Sequence, residues 1–99
     1  MKAATHYKTD GTQESVLPGV KKSKFVLEEM RKFVQGSIGM VHVRNGECLN
    51  DNGINQELPP NHEATNLLIA KLSPTLAAEL TGGGPLVGNV LHCRVSQVD

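Results

Sequence analysis

The stretch LVGNVLHCRV, Leu86 to Val95, decides the fold. It is the most continuously apolar run in the chain. Period-two alternation puts Val87, Leu91, Cys93 and Val95 on one face and His92, Arg94 and Ser96 on the other, as in a β-strand. A strand this apolar belongs inside a sheet and not at its edge. Other strands come from two hairpins. Ala3 to Lys8 and Thr12 to Leu17 flank Thr9-Asp10-Gly11, and Pro18-Gly19 closes that unit. Ile38 to Val43 and Glu47 to Asn50 flank Asn45-Gly46, the strongest turn signal present. A further turn at Asp51-Asn52-Gly53 leads to a short segment ending at Leu58.

Between the hairpins, Val26, Met30, Phe33 and Val34 recur at helical spacing with Leu27 beside them. Ser23 is a suitable N-cap and Gly36 a suitable stop, which predicts a helix over Lys24–Gln35. Glu28 and Lys32 stand four apart in the favourable order. Pro59-Pro60 blocks further strand pairing. Asn61 can cap a helix carrying the stripe Ala64, Leu67, Leu68 and Leu72. Ser73-Pro74 restarts the pattern with a cap and a proline at the first helical position, and Leu76, Ala77 and Leu80 follow. The second helical region therefore covers about His62–Leu80. The order β-β-α-β-β-(β)-α-α-β predicts an α+β fold: a small, mostly antiparallel sheet with both helical regions packed on it, in a single domain.

Composition bounds the function. The chain has 99 residues and 10.7 kDa, with 38% hydrophobic residues. Ten basic residues balance ten acidic ones at a pI near 6.9, which excludes a strongly basic nucleic-acid module and an acidic DNA mimic. The balance is uneven along the chain. Met1–Gln35 carries seven Lys/Arg and four Asp/Glu, net +3, and Gly36–Asp99 carries three and six, net −3. No apolar run is long enough to span a bilayer, and the first twenty residues lack a signal-peptide stretch, so a cytoplasmic setting is expected. Aromatics are few: Tyr7, Phe25 and Phe33. The core must be aliphatic and the monomer marginal, and a homodimer would help it.

Chemistry-bearing residues are scattered. Cys48 and Cys93 do not make a disulfide framework; the plain reading is two reduced thiols, with a bridge or metal pair as the alternative. His6, His42, His62 and His92 show no zinc-ligand spacing. Adjacent His92 and Cys93 point to opposite faces of a strand. A two-residue turn at Asn45-Gly46 would set His42 opposite Leu49 and Cys48 opposite Val43, so His42 and Cys48 would not share a face. No G-x-S-x-G, H-E-x-x-H or P-loop occurs. No catalytic residue, metal or cofactor is expected.

Two stretches invite a binding reading. Gly82-Gly83-Gly84 is a turn, or a loop whose bare N–H groups approach a phosphate with Lys22, Lys24, Lys71 or Arg94 supplying charge. LPPNHEAT, Leu58 to Thr65, is a proline stop and helix cap, or an exposed contact surface.

Four stretches together resemble a family of small proteins encoded by bacteriophages and other mobile elements, a domain of unknown function. They are VLEEMRKFVQG feeding SIGMVHV, the NDNG turn, LPPNHEATNLL with its L-P-x-N-x-x-A-T core, and LVGNVLHC. The resemblance spans roughly Val26 to Cys93. The family's glycine-aromatic-Ile-acidic junction is replaced here by Gly36-Ser37-Ile38-Gly39. The resemblance implies a phage or prophage context and the cytoplasm of an infected bacterium, and brings no activity or cofactor with it.

Two functions of different class follow. One is an anti-defence, anti-CRISPR-like inhibitor that binds a host defence protein through Asn45, Gly46, Asn52, Gly53, Asn61 and His62. The other is a small-molecule binder that sequesters a nucleotide signal at Lys22, Gly82, Gly83, Gly84 and Arg94. A phage housekeeping role is the third option.

Overall fold

In the computed structural model, described for residues 4–19, 24–34, 38–43, 46–51, 58–81 and 84–98, both hairpins form around three-residue loops. Strands β1 (Ala4–Tyr7) and β2 (Gln13–Val16) are joined through Asp10, whose Oδ1 accepts from Thr12 N at 2.9 Å and from Thr12 Oγ1 at 2.6 Å. These hydrogen bonds hold the exposed Asp10 carboxyl below its ordinary range. Strands β3 (Gly39–His42) and β4 (Glu47–Asp51) follow the same plan. Val43 N donates to Glu47 O at 3.0 Å, as Lys8 N does to Thr12 O at 2.9 Å. Gly11 (φ 90°) and Gly46 (φ 71°) take the left-handed position that ends such a loop.

The third loop residue corrects the expected register. His42 pairs with Cys48 and Val41 with Leu49, one residue away from the two-residue-turn pairing. His42 and Cys48 therefore stand on the same face, contrary to the sequence reading.

Helix α1 covers Leu27–Val34, shorter than expected. Lys24–Val26 are not helical, because fully buried Phe25 ties its backbone elsewhere: Phe25 N donates to Gln97 O at 2.6 Å, beside a parallel bridge to Val98. Ser23, the expected cap, lies outside the described residues. Glu29 does the capping, its Oε1 accepting from Val26 N at 3.2 Å and its Oε2 from Gly19 N at 2.6 Å. A carboxylate there also suits the positive end of the helix.

Helices α2 (His62–Lys71) and α3 (Pro74–Thr81) match their expected starts. Asn61 Oδ1 accepts from Ala64 N at 3.0 Å, and Ser73 Oγ accepts from Leu76 N at 3.1 Å. The segment expected to end at Leu58 falls largely on residues outside the described set.

The last strand, β5 (Val90–Arg94), is the centre of a five-stranded antiparallel sheet of order β2-β1-β5-β4-β3. Its interior place agrees with its apolar sequence; its length does not. Gly88, at φ 72°, bends the chain before Val90, and Val95–Gln97 turn off as a 3₁₀ helix. Residues 86–88 instead return to the α2 approach. Gly88 N donates to Pro59 O at 2.8 Å, Asn61 N to Leu86 O at 2.7 Å, and Pro60 bridges Val87. Pro60 thus ends the ladder without ending all pairing. It lacks a donor, and its neighbours supply the bonds.

Alternation along β5 gives each face its own core. Leu91 and Cys93 join Ala4, Cys48, Phe25 and Met30 beneath α1. Val90 joins Leu49, Ala64, Leu68, Ala77 and Leu86 beneath α2 and α3. Helices thus cover both faces, and each buried Leu or Val is worth about 1.5–3 kcal/mol.

Candidate functional site

Three places in the molecule gather chemistry that the fold alone does not demand. The first is the outer edge of β3. Antiparallel pairs alternate between bonded and non-bonded. Val43 is bonded to Glu47, so Val41 and Gly39 also turn their N–H and C=O toward β4. Met40 and His42 turn theirs outward. Among the described residues no strand lies on that side. Gly39–His42 contains no Asp, Glu, Lys or Arg. The opposite edge, β2, is more polar: Gln13, Glu14 and Ser15 are exposed, and Glu14 is paired with Lys8 at 3.3 Å. Charge on an edge discourages a visiting strand.

The second is an ionic row under the C-terminal end of α2. Glu47 and His92 sit on neighbouring strands and the same face, with His92 Nε2 and Glu47 Oε1 2.5 Å apart. Lys71, in the last turn of α2, reaches the same oxygen at 3.4 Å. Burial pushes the Glu47 carboxyl up, but the hydrogen bond and charge of His92, with those of Lys71, outweigh it and hold it below the ordinary range. The Tyr7 ring lies 6.4 Å from that of His92, and its phenol is pushed up by burial and by the charge of Glu63. The row pins α2 to the sheet at its margin.

The third is buried. Cys48 and Cys93 are register partners on β4 and β5, their sulfurs 3.7 Å apart and their residues 0% and 4% exposed. Asn50 Nδ2 donates to Leu91 O at 3.0 Å and approaches the Cys93 and Cys48 sulfurs at 3.4 and 3.6 Å. Among the described residues its Oδ1 has no hydrogen-bond partner. The Cys93 thiol bonded to the Cys48 sulfur lowers Cys48, and that bond together with burial pushes Cys93 far up. The shared hydrogen bond favours charge on the Cys48 sulfur.

The residues singled out from sequence do not converge. Gly46 sits at the β3–β4 turn, at the same end of the sheet as Arg94. Asn61 and His62 sit at the opposite end, where Asn61 Nδ2 donates to Tyr7 O and Gly88 O, each at 2.9 Å. Asn61 caps α2 as the cap reading expects, but at 1% exposed it is a buried brace and not the contact residue of the binding reading; His62 is exposed. Asn45, Asn52, Gly53, Lys22, Gly82 and Gly83 lie outside the described residues. Gly84 is exposed just before Leu86, near the start of α2, whereas Arg94 is exposed at the far end of β5. The described members of the nucleotide set are therefore apart. The Glu47–His92–Lys71 row and the Asn50 brace escaped the sequence reading, because both depend on β4 pairing with β5, and nothing local announces that pairing.

Among the described residues there is no group of three His, Cys, Asp or Glu placed to hold a metal ion, and no helix is long and apolar enough to cross a membrane. No protein-family model, curated protein or solved structure matches the chain.

Proposed function

We propose that this chain is a binding protein that receives an extended segment of a protein partner along the outer edge of β3. The observation that carries the reading is the outward backbone of Met40 and His42 on an edge strand without charged side chains. An added strand would make main-chain hydrogen bonds there and draw specificity from the side chains around it. Each such bond nets about 0.5–1.5 kcal/mol, so a four-residue edge gives a weak grip unless side chains add to it. The narrower reading, a phage accessory protein that blocks a host defence protein in the bacterial cytoplasm, draws on the sequence resemblance. A second copy of the chain could occupy the same edge as a homodimer. The nucleotide reading loses support from the separation of Gly84 and Arg94.

The test places a photoreactive residue at position 42 or at position 62 and irradiates the protein in a bacterial lysate. Protein adducts at 42 and not at 62, lost on Met40→Pro, are expected. That proline removes an outward N–H and leaves the bonds to β4 in place. Adducts at 62 alone would overturn the reading. So would a nucleotide that raises the melting temperature without any protein adduct; saturation at a hundred times Kd adds about 2.7 kcal/mol.

A further inference from the structure

Cys48 and Cys93 are placed as the two halves of a disulfide that has not been closed. They face each other across β4 and β5, in a pair whose neighbours fix the register on both sides: Glu47 with Arg94, and Leu49 with His92. The alternation set by the Val43–Glu47 bond makes Cys48–Cys93 a hydrogen-bonded pair, for which Cα atoms stand about 5.5 Å apart, inside the range a disulfide spans. The sulfurs are 3.7 Å apart and must close to about 2.05 Å, a shift small enough for side-chain rotation. A hydrogen-bonded pair sets its Cβ atoms toward about 5.5 Å, wider than the usual disulfide span, so the closed bond carries strain and is readily reduced again. Asn50 Nδ2, anchored on Leu91 O, lies within 3.4 and 3.6 Å of the two sulfurs and can steady a thiolate on either. The same amide turns a hydrogen toward the sulfurs, the wrong polarity for a shared cation. Among the described residues no third His, Cys, Asp or Glu completes a metal-binding group with them.

We propose that Cys48 and Cys93 form a reversible intrachain disulfide when the protein meets a small hydroperoxide, locking β4 to β5 beneath α1. The Cys48 thiolate attacks one peroxide oxygen. The O–O bond breaks, and the departing hydroxide takes the proton that Cys48 released and leaves as water. The Cys48 sulfenic acid is then attacked by the Cys93 sulfur. An S–S bond forms and the S–O bond breaks, and the second hydroxide leaves as water with the Cys93 proton. Two thiols and one hydrogen peroxide thus give one disulfide and two waters. Both sulfurs are oxidised and both peroxide oxygens reduced. Burial sets the pace, since both thiols lie in the closed core with Met30 and Phe25, and it also shields the sulfenic acid from over-oxidation.

The experiment treats the reduced, folded chain with hydrogen peroxide, blocks remaining thiols with an alkylating reagent in denaturant, and reads intact mass and peptide maps. The expected result is loss of two hydrogens, no alkylation, one cross-link joining the Cys48 and Cys93 peptides, a single-chain band without reductant, and full reversal by dithiothreitol. The oxidised protein should keep the circular dichroism of the reduced one and unfold at higher denaturant. Cys93→Ser should instead gain oxygen at Cys48 or remain reduced. Oxygen addition to wild-type cysteines, bonds between chains, thiols still alkylated after exposure that fully oxidises glutathione, or an oxidised chain that has lost its fold would each overturn the proposal. The wild-type readout decides the matter even if the serine variant folds poorly.

Discussion

The two faces of the sheet are built from the same five strands and closed by opposite means. Under α1, the centre holds Phe25, Met30, Leu91 and two facing thiols, with one carboxamide among them. Under α2 and α3, the centre is aliphatic, from Ala64 and Leu68 to Leu49 and Val90, and the polar groups stand at its margin in the Glu47–His92–Lys71 row. One face hides two thiols at its centre and has polar bonds at α1 through His6 and Glu29. The other keeps an aliphatic centre and holds its ionic groups at the margin. A single strand, β5, supplies both, because adjacent residues point opposite ways: His92 joins the ionic row and Cys93 the thiol pair. Sequence neighbours can thus serve unrelated chemistry, and a substitution at one need not report on the other.

The largest break in this contrast should come from Phe25→Ala. It empties the centre of the α1 face while leaving the main-chain bonds to Gln97 and Val98 available, and should cost about 3–5 kcal/mol in urea unfolding. If the faces are separable, the Glu47–His92 pairing should survive in the folded fraction, read by the His92 ring shifts in NMR. On the other face, Asn61→Ala removes the α2 cap and leaves the Tyr7 and Gly88 carbonyls without their donor, a loss of about 2 kcal/mol. Asn61→Asp keeps the acceptor for Ala64 N and loses the donors. At pH 7 its carboxylate faces the Tyr7 and Gly88 carbonyls, so it should be no more stable than Asn61→Ala and should recover as acid protonates it; a deficit that stays constant with pH would assign the loss to packing.

The smallest effect sharpens the comparison through pH. Glu47 is held below its ordinary range when folded, so its contribution is fully present above the unfolded carboxyl value of about 4.3 and is lost as pH falls through the lower folded value. Glu47→Gln should cost about 1 kcal/mol at pH 7, and the gap from wild type should close on acidification into that low range. A gap that stays constant with pH would assign the loss to packing and not to charge. Peroxide locking of the thiols should leave this pH profile unmoved.

Much of the architecture was legible because it is written in short-range chemistry. Asn61 and Ser73 announce their helices by side chains that accept from backbone three residues on, and both act where expected. Asp10 marks its turn by accepting from Thr12 N, and Gly11 and Gly46 mark theirs by the left-handed φ that glycine tolerates. The apolar density of Val90–Cys93 placed β5 inside the sheet. What failed was set by partners far away in sequence. Helix α1 starts late because Phe25 belongs to the tail at Gln97 and Val98, and no local pattern encodes a bond across seventy residues. The β3–β4 register turned on the loop length at Gly46, where two or three residues read alike in sequence but move every partner by one. The sequence marks Asn61 as a cap but not as buried; its burial follows from Tyr7 and Gly88, which meet it only in the folded molecule.

That the middle strand of the sheet is the last of the five along the chain shapes how the molecule must come together. Until β5 is made, the β1–β2 and β3–β4 hairpins share no partner, and each carries a bare inner edge where β5 will lie. Assembly therefore waits on a late, long-range event, the arrangement that slows folding and lengthens the exposure of sticky edges during synthesis. A ribosome stalled before Val90 would hold two disconnected halves of a protein, and the cell's holdase chaperones would meet them as such.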